Sequence, residues 1–218
     1  MDKTHIKICC ISSVEEAKLA INLGASAIGL VGHMPSGPGI IKDELIAEIV
    51  SSVPKDIDTF LLTSETKVSD IIAHYSKVNT TTIQLVDSLT EGTHQQIKLV
   101  LPHVKIVQVL HVLDESSINE AIKVSKYVDT ILLDSGNPNL TTKELGGTGK
   151  VHNWEISKAI VESVNIPVFL AGGLNSDNAL KAIQKVKPYG LDLCSGVRTN
   201  GILDKAKLTA FFKSIKNY

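Results

Sequence analysis

Pro167-Val168-Phe169-Leu170-Ala171-Gly172-Gly173-Leu174 is the stretch on which the reading of this 218-residue chain turns. Five apolar residues in a row fit a strand covered on both faces, the condition of a parallel sheet. The glycine pair ends that run and opens a turn into an amphipathic stretch that Asn175 is placed to cap. Working outward, the same unit recurs in both directions. Short β-branched runs at Ile6–Cys10, Ala27–Val31, Thr59–Leu62, Thr82–Val86, Lys105–Leu110, Thr130–Leu133 and Leu191–Cys194 each precede a helical pattern. With Pro167–Ala171 that makes eight βα units of about 27 residues. The expected architecture is an α/β fold, a single (β/α)8 TIM barrel over residues 1–218, with a doubly wound open sheet as the alternative.

Composition narrows the function. The chain carries 22 Lys+Arg against 23 Asp+Glu, a net charge of -1, so no field gathers nucleic acid or an anionic membrane. No stretch approaches the ~20 apolar residues of a membrane span, and the start of the chain lacks a signal-peptide core, which leads to the expectation of a cytoplasmic protein. Three cysteines, two of them adjacent as Cys9-Cys10, form neither a disulfide framework nor a spaced zinc site. No metal is expected. Ser12-Ser13-Val14-Glu15 has the form of a capping box, and Asp114 and Asp204 are placed to cap later helices.

Polar residues inside buried strands are the next signal. Lys7 and Cys9 share one face of the first strand, Gln84 lies in the fourth, Gln108 in the fifth, Asp134 closes the sixth and Asp192 sits in the eighth. Period two sets Ile6, Ile8 and Cys10 against the helices and turns the polar set toward the barrel axis, where it converges on one mouth. An ionised carboxylate in a buried strand is costly unless paired or used, which singles out Asp134; Lys7 is placed to neutralise Asp192. Glycine-rich turns follow the last three strands, around Gly147, at Gly172-Gly173 and at Ser195-Gly196. Amides in such turns approach an anion closely, and the loops after strands seven and eight are where barrels commonly hold phosphate.

Lys7-Ile8-Cys9, Gly24-Ala25, Ile28-Gly29, Gln84-Leu85, Leu132-Leu133-Asp134, Gly146-Gly147-Thr148-Gly149, Trp154, Leu170-Ala171-Gly172-Gly173-Leu174 and Asp192 with Ser195-Gly196-Val197 together resemble the phosphoribosylanthranilate isomerase family, of the ribulose-phosphate-binding barrel superfamily. The resemblance runs in order from the first strand to the last. It implies an aldose–ketose isomerase of tryptophan biosynthesis, performing an Amadori rearrangement of N-(5-phosphoribosyl)anthranilate with no cofactor. Residue by residue, it makes Asp134 the general acid that opens the ring and Cys9 the general base at C2, with Lys7 placed to stabilise the thiolate. Lys7, Gln84 and Asp192 become substrate-binding residues, and Gly147, Gly172, Gly173, Ser195 and Gly196 hold the phosphate. The implied partner is a small phosphorylated sugar, and the chain is expected to be a monomer or homodimer.

The departures cluster at the amine end of the substrate. Ser36-Gly37-Pro38-Gly39 stands where the family carries an arginine, Val86 replaces a histidine, Gln108 occupies the fifth-strand position of a lysine, and Arg198 replaces a glutamate. His33, His111 and Arg198 are the candidates for a replacement charge. Two other readings follow: an isomerase of a different phosphorylated aminosugar, and a catalytically silent barrel that binds a phosphosugar.

Overall fold

The computed structural model describes residues 4–136, 151–216 and 218. Eight parallel strands close into a barrel in chain order: β1 (His5–Ile8), β2 (Ala27–Val31), β3 (Asp58–Thr63), β4 (Thr82–Leu85), β5 (Lys105–His111), β6 (Thr130–Asp134), β7 (Val168–Leu170) and β8 (Gly190–Leu193). β1 pairs with both β2 and β8, so the open-sheet alternative is excluded. Helices α1 (Val14–Leu23), α2 (Asp43–Ser52), α3 (Val68–Val78), α4 (His94–Val100), α5 (Ser116–Val124), α6 (Trp154–Ser163), α7 (Ala179–Val186) and α8 (Lys205–Ser214) alternate with the strands. A short hairpin, β9 (Arg198–Thr199) and β10 (Ile202–Leu203), precedes α8.

Strand alternation builds two separate cores. Ile6, Ile8, Leu30, Leu61, Ile83, Ile106, Leu110, Ile131, Leu133, Leu170 and Leu191 point outward and pack under the helices. Ala27, Val31, Phe60, Leu62, Val107, Val109, Leu132 and Phe169 fill the barrel axis. Each strand thus spends alternate residues on two faces, both of them dry.

Two local expectations are corrected. The cap of α1 is Ser13, whose hydroxyl accepts from the Glu16 amide, one residue later than the Ser12–Glu15 box. The Glu16 carboxylate accepts from the Ser12 amide and also reaches the loop after β8, accepting from Arg198 and the Leu203 amide. Gln108 does not face the axis: it shares parity with Ile106 and Leu110, lies beneath α4 against His94 and donates to the carbonyls of Leu85 and Asp87. Asp204 caps α8 as expected, accepting from Ala206 and Lys207.

Candidate active site

The C-terminal mouth of the barrel holds a cleft with about 720 Å³ of empty space, its opening to solvent included. Cys9, Gln84, Asp134 and Asp192 line it together with Gly172, Gly173 and Ser195. The strands therefore deliver the predicted thiol and carboxylates to one cavity.

Each side chain has a local reason for its position. Cys9 continues β1, its amide donating to Leu193 O at 2.7 Å, and Gly29 on β2 leaves it room: a Cβ there would stand 2.9 Å from Cys9 Sγ and 3.2 Å from Lys7 Cε. Lys7, fully buried, donates to Asp192 Oδ2 at 2.8 Å and lies over the Phe60 ring. Burial opposes its charge most strongly, but the adjacent Asp192 carboxylate, with smaller contributions from Cys9 and Cys10, holds Lys7 above its ordinary value. Asp134 accepts from the Ser135 amide at 2.7 Å. Burial pushes its carboxyl up to about 6, the Asp192 charge adds to the rise, and the Ser135 amide and Lys7 oppose it. A carboxyl in that position carries a proton it can give away near neutral pH. Gln84 Oε1 and Asp192 Oδ1 are buried and have no hydrogen-bond partner among the described residues. Both residues line the cleft, so a bound hydroxyl or amine would satisfy the two oxygens.

The β7 and β8 loops form a cradle. Gly172 and Gly173 adopt positive φ (84° and 62°), a backbone that favours glycine. Ser195–Val197 forms a tight turn, and a Cβ on Gly196 would stand 2.0 Å from Leu174 O, so the two loops touch only because Gly196 has no side chain. Gly147 lies outside the described residues.

The structure also relocates residues that the pattern had assigned elsewhere. Cys10 does not pack under the helices: at φ 62° the chain turns out of β1, and its thiol enters the cleft against Cys194, which the sequence reading had passed over. Arg198 is buried, gripping Glu16 and donating to the carbonyls of Cys9 and Cys10, and so is not a charge offered to substrate. His33 is exposed on a neighbouring groove, and His111 approaches Val86 O behind the cleft wall. Away from the cradle, the wall consists of Val31, Met34, Ser36, Gly37, Pro38, Leu62 and Val86. Among the described residues, the cleft lining contains no Lys, Arg or His.

Fold and cleft define a (β/α)8 barrel with a thiol and a carboxyl in its C-terminal mouth and a glycine cradle after β7 and β8, the arrangement of barrels that take small phosphorylated substrates. Comparison with known proteins is in accord. The family model of N-(5'-phosphoribosyl)anthranilate (PRA) isomerase matches residues 6–214, and the chain belongs to that family. It is 35% identical to N-(5'-phosphoribosyl)anthranilate isomerase 2 of Methanosarcina mazei, covering 98% of this chain and 94% of that one. It is 33% identical to the Nostoc punctiforme isomerase, covering 97% and 98%. Among solved structures, the Pyrococcus furiosus isomerase superposes with a TM-score of 0.78 at 26% identity over 99% of this chain and all of that one.

Proposed function

We propose that the chain converts N-(5'-phosphoribosyl)anthranilate to 1-(2-carboxyphenylamino)-1-deoxyribulose 5-phosphate. Asp134 gives its proton to the ring oxygen as the C1–oxygen bond breaks, leaving a protonated imine between C1 and the aryl nitrogen. Cys9, as thiolate, takes the C2 proton; the C2–H electrons form the C1–C2 double bond and neutralise the nitrogen. The resulting enolamine tautomerises to the ketone by moving the C2 hydroxyl proton to C1. Each step is coupled to a proton transfer, and passage of a proton through solvent from the Cys9 thiol to the Asp134 carboxylate restores both groups; the chemistry asks for two weak acid–base groups at different substrate atoms. Glycines 172, 173 and 196 with Ser195 hold the phosphate, and Gln84 and Asp192 bind sugar hydroxyls. The observation that carries this reading is that Cys9 and Asp134 line one cleft beside that cradle.

The reading takes residues 1–218 as one catalytic domain, since β1 and β8, from opposite ends of the chain, both build the site. It places the activity in the cytoplasm, in a monomer or homodimer; among the described residues, no helix is long and apolar enough to cross a membrane. Cys9→Ser and Asp134→Asn are each expected to lower kcat by at least about a hundredfold, with affinity for a substrate-analogue phosphate held within severalfold. Turnover surviving both changes would reject the roles. Expression in cells lacking the isomerase tests the substrate directly, since it should restore growth without tryptophan. Among the described residues the cleft wall carries no cation, and this supports one second reading, an isomerase acting on a phosphoribosylamine whose amine carries no carboxylate. Failed rescue, together with turnover of such a compound, would select it.

A further inference from the structure

Three thiols meet at the mouth of this barrel, and the proposed reaction uses one. Cys10 and Cys194 close β1 and β8 on either side of the seam, with Sγ atoms 2.9 Å apart; all three cysteines are free thiols. The backbone makes a concession to this contact. Cys10 sits at φ 62°, in the left-handed region that favours glycine, and it is not at the end of a helix. Its Sγ is also held near Pro38 O at 3.6 Å, and a Cβ on Gly39 would stand 2.5 Å from Cys10 Cβ, so the β2 loop closes over it. Strained residues that persist inside a site point to function.

We propose that Cys10 and Cys194 are a reversible oxidation site, forming a disulfide across the β1–β8 seam that disturbs the cleft and lowers turnover when the protein meets a hydroperoxide. The Cys194 thiol is the first to react. Its hydrogen-bonded contact with Cys10 holds it below the ordinary thiol range against the opposing effect of burial, and the Arg198 charge adds to the drop. Cys194 sulfur attacks the distal oxygen of the hydroperoxide, whose O–O bond breaks; the sulfur becomes a sulfenic acid, and the alcohol or water released takes a proton. Cys10 sulfur then attacks the sulfenic sulfur, the S–O bond breaks, and water leaves with the Cys10 proton. Two thiols have lost two electrons, and the hydroperoxide has gained them.

Bond formation brings the sulfurs from 2.9 Å to about 2.05 Å. Cys10 adjoins Cys9, and Cys194 adjoins Ser195 of the cradle, so this movement disturbs the base and the phosphate site at once. Displacements of this order are costly to catalysis. The effect on turnover rests on the proposed isomerase activity; the cross-link does not.

The test exposes the full chain to hydrogen peroxide, then reads free thiols, intact mass and peptide linkage. Thiols are expected to fall from three to one, with a mass loss of two hydrogens and a peptide joining Cys10 to Cys194. kcat/KM is expected to drop at least about tenfold and to return with dithiothreitol. Cys10→Gly, which suits the local backbone, should retain turnover after the same exposure, and Cys194→Ala should form no intramolecular cross-link. Oxygen added at Cys9 without the linked peptide would overturn the proposal. So would a linked protein with undiminished turnover, or Cys10→Gly inactivated as fully as the parent. If the chain turns over no phosphoribosylamine at all, absence of the linked peptide still overturns the site, and its presence still supports it.

Discussion

At the scale of a single residue, Asp134 trades stability for a usable proton. Its carboxyl is pushed up to about 6 by burial, with Asp192 adding and the Ser135 amide and Lys7 subtracting, whereas an unfolded aspartate titrates near ~3.9. Between those values the native state binds more protons than the unfolded one. Its stability therefore falls as pH rises from about 4 to about 6 and is level above, and a shift of two units corresponds to on the order of 3 kcal/mol. Asp134→Asn keeps an acceptor for the Ser135 amide but has no charge to desolvate. We expect it to be about 1–3 kcal/mol more stable than the parent in urea unfolding at pH 8, and equal to it near pH 4. In the proposed mechanism the same proton shapes the rate: kcat/KM should decline as pH rises past about 6, because Asp134, as the proposed acid, must begin protonated. An Asn variant no more stable than the parent at pH 8 would show that this carboxyl is not strained by its burial.

At the scale of the elements, strands were legible and their ends were not. A parallel strand covered on both faces is a continuous apolar run, so all eight could be read from the chain, whereas where a run stops depends on backbone that apolarity does not encode. Cys10 reads as strand until its left-handed φ turns it into the mouth. Gln108 is illegible for a related reason: its polarity suggests an axial side chain, but parity with Ile106 and Leu110 turns it outward. Least legible was the clamp between the β8 loop and α1. Arg198 reaches Glu16 Oε1 at 3.0 Å and also holds the carbonyls of Cys9 and Cys10, partners more than 180 residues away in sequence. Burial disfavours the Glu16 charge, yet Arg198 and the Leu203 and Ser12 amides bring its carboxyl below the ordinary value, so this support weakens as pH falls through the acid range. Removing one partner of such a pair leaves a buried charge alone. Arg198→Met is expected to cost about 3–5 kcal/mol in urea unfolding, and Glu16→Gln added to it should recover much of that loss. A double variant as unstable as the single one would mean that Arg198 acts through its hydrogen bonds to the β1 carbonyls instead.

At the scale of the whole molecule, one ion pair joins closure of the barrel to chemistry. Lys7 and Asp192 are register partners across β1 and β8, the seam where the first strand meets the last, and their charges meet inside the axis. The pairing could be anticipated, because a lysine and an aspartate in otherwise apolar strands need each other. What sequence could not supply is its direction, since only closure sets Asp192 beside Asp134 and lets Lys7 restrain the rise of both the seam and the acid. Lys7→Met should therefore have two effects. Stability is expected to fall by about 3–5 kcal/mol, because Asp192 is left buried without its cation. The alkaline decline of kcat/KM should also move to higher pH, because Lys7 lowers the Asp134 value that sets it. Adding Asp192→Asn separates the two: the neutral pair should regain much of the stability, as measured by urea unfolding, while turnover stays low if, as proposed, that carboxylate binds the sugar. Recovery of both together would reduce the pair to a seam fastener, and recovery of neither would show that closure depends on something other than these two charges.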